Sequence, residues 1–184
     1  IQVEIDIASE YRYRPRVHGS RELFVAVSQS GETADTLAAM TDVRESVAHR
    51  LAVVNVASSS VAREADYLLD IEAGPEIGVA STKAFTGQLL ALLGLALKAA
   101  GERGGLSADV RASLVEDLAS IPRLVADTLT CEERISEVAR QIASSCDALF
   151  LGRGTNYPIA LEAALKLKEI SYIHAEGYAA GELK

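Results

Sequence analysis

The chain has 184 residues, a net charge of −8, a pI near 4.9, and 49% hydrophobic but only 5% aromatic residues. This acidity argues against a general binder of nucleic acids or membrane surfaces, although a local basic pocket for a small anion stays open. Because the sequence has no tryptophan, its core has to be built from alanine, leucine, valine and isoleucine.

The sequence favours a cytoplasmic protein without a metal or cofactor. Its two cysteines, Cys131 and Cys146, lack metal-ligand spacing and are expected to be free thiols. The first residues lack the pattern of a signal peptide. The longest apolar stretch, Leu89 to Leu97, is shorter than the roughly 20 residues of a membrane-spanning helix. We predict that it lies in a core helix, with a subunit interface as the alternative.

The first predicted element is a half-exposed strand over Ile1 to Ile7, where apolar and acidic side chains alternate. A cluster of tyrosines and arginines follows, and Pro15 ends any helix there. This cluster is interpreted as a surface turn rather than an interface. Leu23 to Val27 then forms an unbroken apolar run, typical of a strand buried on both faces of a parallel sheet.

Small polar residues follow that strand from Ser28 to Thr33, and a helical period begins at Ala34. A strand, a tight turn and a helix aim backbone N–H groups at an anion, to which serine and threonine hydroxyls add donors. The alternative is an ordinary turn with a good N-cap. Side-chain chemistry alone supports the anion-binding turn and the ordinary turn about equally. Glu32 and Asp35 would repel a phosphate unless they point away.

Two more strands are predicted, Leu51 to Val56 and Tyr67 to Ile71, and each runs into a polar loop. In an open parallel sheet, ligands lie outside the carboxyl ends of the strands. The three loops should therefore converge on one site, which favours the anion interpretation. Helices are predicted over 33–48, 61–66 and 84–100.

The pattern restarts in the second half. Two helices, 108–118 and 124–145, are predicted on either side of Pro122. An apolar strand over Ala148 to Leu151 then runs into a glycine-rich turn, and Pro158 opens a helix. This alternation of apolar runs and helical periods predicts an α/β fold, a parallel sheet with helices on both faces.

That last helix, predicted over 159–171, carries Glu162, Lys166 and Glu169 on one face at 3.6 residues per turn. One interpretation is a solvated stripe of charges. The other is a carboxylate beside a lysine in a pocket, one acting as acid and base while the other tunes it. His174, in an extended segment that follows, is expected to be packed or hydrogen-bonded.

Five motifs in order resemble the sugar isomerase (SIS) family, and within it the isomerase half of the glutamine–fructose-6-phosphate aminotransferases. The resemblance covers nearly the whole chain. The motifs are ASEYRYR at 8–14, SQSGETADTL at 28–37, EIGVASTKAF at 76–85, LGRGTNYPIALE at 151–162 and LKEISYIHAE at 167–176.

The resemblance implies a flavodoxin-like three-layer sandwich in two parts. Residues 1–122 would be a first SIS domain without its first strand–turn–helix unit, and 123–184 the opening part of a second. The chain would thus be cut at both ends. It would lack the glutaminase domain, the ring-opening histidine after Lys184 and the Schiff-base lysine, so the fragment alone is predicted to be inactive.

The resemblance also implies roles for individual residues. The sugar phosphate would be held by Ser28, Gln29, Ser30 and Thr33, and the sugar would be contacted by Val79 and Ser81. Glu169 would move the proton between C1 and C2, with Lys166 beside it.

The implied reaction converts fructose 6-phosphate and glutamine-derived ammonia to glucosamine 6-phosphate in a cytoplasmic homodimer. The implied partners are a hexose 6-phosphate and a glutaminase domain, without nucleic acid or membrane. A sugar-phosphate sensor and a simple phosphosugar isomerase are the alternatives. The pair Lys166 and Glu169 favours an enzyme, because a sensor needs no proton shuttle.

Overall fold

The computed structural model describes residues 1–15, 17–19 and 21–183. These residues form two compact units, 1–103 and 104–184. Each unit has its own parallel sheet.

The first unit is built on three parallel strands in the order β1–β2–β3, so the predicted parallel α/β architecture is confirmed. The central strand β2 pairs with both neighbours, and the last residues of the strands, Ser28, Val54 and Asp70, lie in register. All three following loops therefore leave the sheet at one edge. The strands are β1 (Leu23–Ser28), β2 (His49–Val54) and β3 (Tyr67–Asp70).

In the described part of this unit, four helices accompany the sheet: α1 (Ala8–Tyr11), α2 (Ala34–Asp42), α3 (Ser60–Glu64) and α4 (Lys83–Glu102). Apart from Met40, small and branched side chains make up the buried core between the sheet, α2 and α3, as the composition predicts. Its buried members are Ala26, Met40, Ala52, Val54 and Val61.

Two expectations for the first half are wrong. Residues 1–7, all of which the structure describes, form no strand, since alternation alone gives their backbone no partner for a hydrogen-bond ladder. The predicted helix over 33–48 ends at Asp42. The chain then turns, and the N–H groups of Ala48 and His49 donate to the carbonyl of Glu22, which starts β2 alongside β1.

The apolar helix α4 is not a core helix within this unit. Along α4, whose residues the structure describes in full, only Ala84 is buried. Leu89 and Leu93 are 43% and 45% exposed. The apolar face is longer than a three-stranded sheet can cover, so the prediction of core burial is wrong. Among the described residues, α4 alone is long and apolar enough to cross a membrane, by length and composition only.

The described residues of the second unit, 104–183, form two parallel strands and three helices. Pro122 lies inside the first helix, so the predicted break is wrong: a proline removes one intrahelical hydrogen bond, and the helix continues through it. The predicted domain boundary at residue 122 falls in the same helix, and the assignment of two partial SIS domains stays a prediction. The elements are α5 (Ala108–Leu129), α6 (Glu132–Ile142), β4 (Asp147–Gly152), α7 (Asn156–Ile170) and β5 (His174–Ala179).

Two glycines allow α7 to lie close to this small sheet. A Cβ on Gly152 would come within 2.7 Å of Tyr157 Cα, and one on Gly177 within 2.8 Å of Leu161 Cα. Ala160, Ala164 and Ala175 are buried in the same unit. This small-residue packing places the backbone of α7 directly against β4 and β5.

Candidate functional site

The first candidate site is the turn between β1 and α2, residues 28–33, called here the serine loop. Ser28 is buried at the end of β1. Its Oγ lies 2.9 Å from Thr33 Oγ1 and accepts a hydrogen bond from the Gly31 N–H at 3.1 Å. Ser30 Oγ accepts from the Glu32 N–H at 3.2 Å. The hydroxyl groups and the backbone of the loop are thus brought into one small cluster.

The N-cap alternative does not describe this turn. Thr33 occupies the N-cap position of α2, but its hydroxyl pairs with Ser28 instead of capping the helix. The turn is closed by Gly31, whose φ of 65° is in the left-handed region that glycine favours. A Cβ on Gly31 would also collide with the side chain of Ser59.

Glu32 points away from the serine loop and toward the next polar loop. Its Oε1 accepts a hydrogen bond from the Ser60 N–H at 2.8 Å, in the first turn of α3. Hydrogen bonds from the Ser60 side chain and backbone, assisted by the charge of Arg63, lower the pKa of Glu32. The carboxylate of Glu32 is therefore held by α3 and does not point into the loop that would hold an anion.

The third loop at this edge, residues 72–82, is called here the Val79 loop. Val79 is 97% exposed and Ser81 is half-buried. The middle of the loop is tied to the start of α4 by Glu76, whose Oε2 accepts from the Ala84 N–H at 3.0 Å. Hydrogen bonds from the Ala84 and Thr82 N–H groups lower the pKa of Glu76, with Ala84 the largest contribution.

The second candidate site is a cluster on α7, formed by Glu162, Lys166 and Glu169. Lys166 Nζ donates to Glu169 Oε2 at 2.5 Å and lies 3.3 Å from Glu162 Oε1. The side chains are 24% exposed for Lys166, 23% for Glu162 and 32% for Glu169. They are therefore not a fully solvated stripe. The hydrogen bond to Glu169 raises the pKa of Lys166, so this side chain is positively charged at neutral pH.

A lysine held between two carboxylates can keep a carboxylate in a fixed orientation, which suits a group that moves a proton. His174, on β5, pairs instead with Glu176, at 3.1 Å from Nε2 to Oε1. Glu176 Oε2 also accepts from the Tyr178 hydroxyl at 2.7 Å. His174 is thus a hydrogen-bonded residue, as predicted.

The structure brings the predicted residues together in three groups: Ser28, Gln29, Ser30 and Thr33 in the serine loop, Val79 and Ser81 in the Val79 loop, and Lys166 with Glu169 on α7. Sequence reasoning missed Asn55 and Glu76, whose side chains hold the Val79 loop in place. An asparagine directly after the central strand was the one available signal. Among the described residues, no group of side chains is arranged to hold a metal ion.

Comparisons with known proteins agree on one family. The SIS domain family profile matches residues 1–98 and 141–184. Over all 184 residues, the chain is 58% identical to a glutamine–fructose-6-phosphate aminotransferase (isomerizing) of Bradyrhizobium diazoefficiens and 55% identical to that of Bartonella quintana. It spans about 30% of the length of each of these relatives.

Solved structures give the same result. The C-terminal domain of glucosamine-fructose-6-phosphate aminotransferase from Francisella tularensis is 46% identical, with a TM-score of 0.95, and the match covers 98% of this chain and 51% of that one. A glucosamine-6-phosphate deaminase from Thermotoga maritima is 25% identical, with a TM-score of 0.74 over 95% of this chain and 51% of that one.

Proposed function

The chain belongs to the SIS domain family, and from this premise we propose that it is the isomerase portion of a glucosamine 6-phosphate synthase. The reaction converts fructose 6-phosphate and glutamine-derived ammonia to glucosamine 6-phosphate and water. The observation that carries this proposal is the Lys166–Glu169 pair on α7. The names and identities of the aminotransferase relatives support it.

The serine loop holds the phosphate group in this proposal. Ser28, Ser30 and Thr33 supply hydroxyl donors, and Gln29 supplies an amide. The start of α2 adds the positive end of a helix dipole. Because Glu32 is bonded to Ser60, its carboxylate does not compete with the phosphate.

The Val79 loop contacts the sugar through Val79 and Ser81. It leaves the same edge of the sheet as the serine loop, since the three strands end in register. A phosphate in one loop and a sugar hydroxyl in the other is the arrangement expected at the carboxyl edge of a parallel sheet.

Glu169 carries out the isomerisation. After ammonia adds to C2 of the open-chain ketose and water leaves, the carboxylate of Glu169 takes a proton from C1 and returns it to C2. The C1 hydroxyl loses its proton and becomes the aldehyde oxygen, while the imine nitrogen on C2 gains a proton and becomes the amine of the product. Lys166 orients Glu169 through their hydrogen bond.

The phosphate assignment is tested by titration calorimetry with fructose 6-phosphate on the full-length protein. A triple variant, Ser28→Ala with Ser30→Ala and Thr33→Ala, should bind far more weakly, because each lost hydrogen bond to a charged group costs roughly 1.5–3 kcal/mol. Ser120→Ala is the matched control, since it removes a serine hydroxyl bonded only within α5. Unchanged affinity in the triple variant would place the phosphate elsewhere.

We also propose that the protein is a cytoplasmic homodimer that carries a glutaminase domain and binds neither nucleic acid nor membrane. The greater length of the relatives supports the glutaminase domain, and the net charge of −8 supports the absence of nucleic acid.

The exposed apolar face of α4 supports a subunit interface. Sedimentation of wild type and of Leu93→Asp tests the dimer: a monomeric wild type at high concentration would rule it out.

A further inference from the structure

Asn55 lies just beyond the end of the central strand of the first sheet. It directly follows β2, the central strand, so it lies between the loop that follows β1 and the loop that follows β3. It is half-buried, and its backbone N–H donates to the carbonyl of Gln29 in the serine loop at 3.0 Å.

Its side chain bonds to the other loop. Asn55 Nδ2 donates to the carbonyl of Gly74 at 2.7 Å, and Asn55 Oδ1 accepts from the N–H of Ala73 at 2.9 Å. The carboxamide thus engages two successive residues at the start of the Val79 loop. One residue is therefore hydrogen-bonded to both loops to which the proposed function assigns the substrate.

The side-chain chemistry is specific to a carboxamide. The two bonds need one donor and one acceptor at a fixed separation, which asparagine supplies and aspartate does not. An aspartate could accept from Ala73, but it would face the Gly74 carbonyl with a second acceptor. An aliphatic residue would satisfy neither group.

The backbone at this point needs such a support. The last sheet bond runs from the Ile71 N–H to the Val54 carbonyl at 3.0 Å. The chain then leaves the sheet through Glu72 and Gly74, with φ values of 50° and 68°. A left-handed conformation is unfavourable for a residue with a Cβ such as Glu72. The Glu72 N–H donates to Asp70 Oδ1 at 2.9 Å on one side, and the bonds of Asn55 hold the two residues that follow.

We propose that Asn55 is a positioning residue that sets the Val79 loop at a fixed distance from the serine loop, so that one hexose phosphate reaches both. This inference rests on the proposed function of the two loops. The Val79 loop then has two anchors: Asn55 holds Ala73 and Gly74, and Glu76 is bonded to the start of α4. Val79, which lies between Glu76 and α4, is exposed. The serine loop is held independently by the Glu32–Ser60 bond. Loss of the Asn55 side chain should therefore release the Val79 loop and spare the serine loop.

The test compares two ligands on the full-length protein by titration calorimetry. Inorganic phosphate needs only the serine loop, whereas fructose 6-phosphate needs both loops. Asn55→Ala should raise the Kd of fructose 6-phosphate about tenfold and that of inorganic phosphate by less than about twofold. Asn55→Asp keeps the acceptor for Ala73 and should show the same selectivity, which protects the test if the alanine variant folds poorly.

Thr41→Ala is the control, because it removes a single side-chain hydrogen bond in the same unit, to the carbonyl of Leu37, and should change neither Kd. A general folding defect would weaken the binding of both ligands by the same factor. An equal loss for both ligands, or unchanged fructose 6-phosphate binding in both Asn55 variants, would overturn the inference and leave the proposed function intact. A wild type that binds fructose 6-phosphate no better than inorganic phosphate would overturn the proposed function itself.

Discussion

The two units use the same strand–turn–helix arrangement, but their candidate functional side chains lie in different parts of it, the turn in one unit and the helix in the other. In the first unit the polar side chains are in the turn, where Ser28 and Thr33 are bonded to each other. In the second unit the turn is Gly152 to Thr155, and the polar cluster lies on the following helix at Lys166 and its neighbours.

The glycines explain the difference. Gly31 closes the first turn against Ser59, and the hydroxyl groups of Ser28 and Thr33 lie together with the Gly31 N–H in that turn. Gly152 instead lets the backbone of α7 approach β4 closely, which fixes the helix and its cluster of long side chains. A turn of short side chains suits binding of a fixed charge, and a rigid helix face suits a group that must be aimed at a reacting atom.

The largest expected effect separates chemistry from binding. Glu169→Gln removes the proposed proton carrier, so kcat should fall by about 10²- to 10⁴-fold, the usual contribution of a general acid–base group. The Kd of fructose 6-phosphate should stay unchanged, because the proposed phosphate contacts come from the serine loop and not from Glu169. Turnover assays and calorimetry on the full-length protein measure both. Glu133→Gln on α6 is the control, and a Kd that rises in step with the loss of kcat would contradict the division of roles.

The next effect contrasts the two turns directly. Gly31→Ala forces a Cβ into the left-handed region, at about 1–2 kcal/mol, and into the Ser59 side chain, at about 1–3 kcal/mol more. Gly154 has a φ of 58° but has no atom within 4 Å of its Cβ position among the described residues. Gly154→Ala should therefore destabilise the folded state only by the backbone term of about 1–2 kcal/mol. Thermal melting measures the difference, and equal losses would mean that Ser59 moves aside.

These residues also show which features can be predicted from the sequence alone and which cannot. The serine loop and the α7 cluster were predicted because each depends on a short local pattern. By contrast, the polar turn that ends α2 at Asp42 was missed, since the apolar spacing continues past it. Asn55 was missed because its side-chain partners lie 18 and 19 residues away, and only the folded sheet brings them together.

A smaller effect sharpens the role of the lysine on α7. Lys166→Met removes the hydrogen bond to Glu169, and a hydrogen bond to a charged group contributes roughly 1.5–3 kcal/mol. We expect kcat to fall about 10- to 150-fold, less than for Glu169→Gln. Lys168→Met is the matched control on the same helix, because Lys168 is exposed. Equal losses of kcat in the two lysine variants would show that activity depends on positive charge near α7 and not on the hydrogen bond between Lys166 and Glu169.

The smallest effect is the pH dependence of the bond between Glu32 and α3. The pKa of Glu32 is lowered from its ordinary value of 4.5 by its hydrogen bonds to Ser60. A carboxyl with a lowered pKa stabilises the folded state above its unfolded pKa, and this contribution is lost as the pH falls through the lower folded value. The melting temperatures of wild type and Glu32→Ala should therefore differ by a constant amount from about pH 7 to about pH 5 and converge below that. Glu45→Ala, an exposed glutamate of the same unit, is the control. A difference that persists unchanged to about pH 3 would mean that the neutral carboxyl holds Ser60 equally well, and the charge of Glu32 would then have no part in fixing the serine loop.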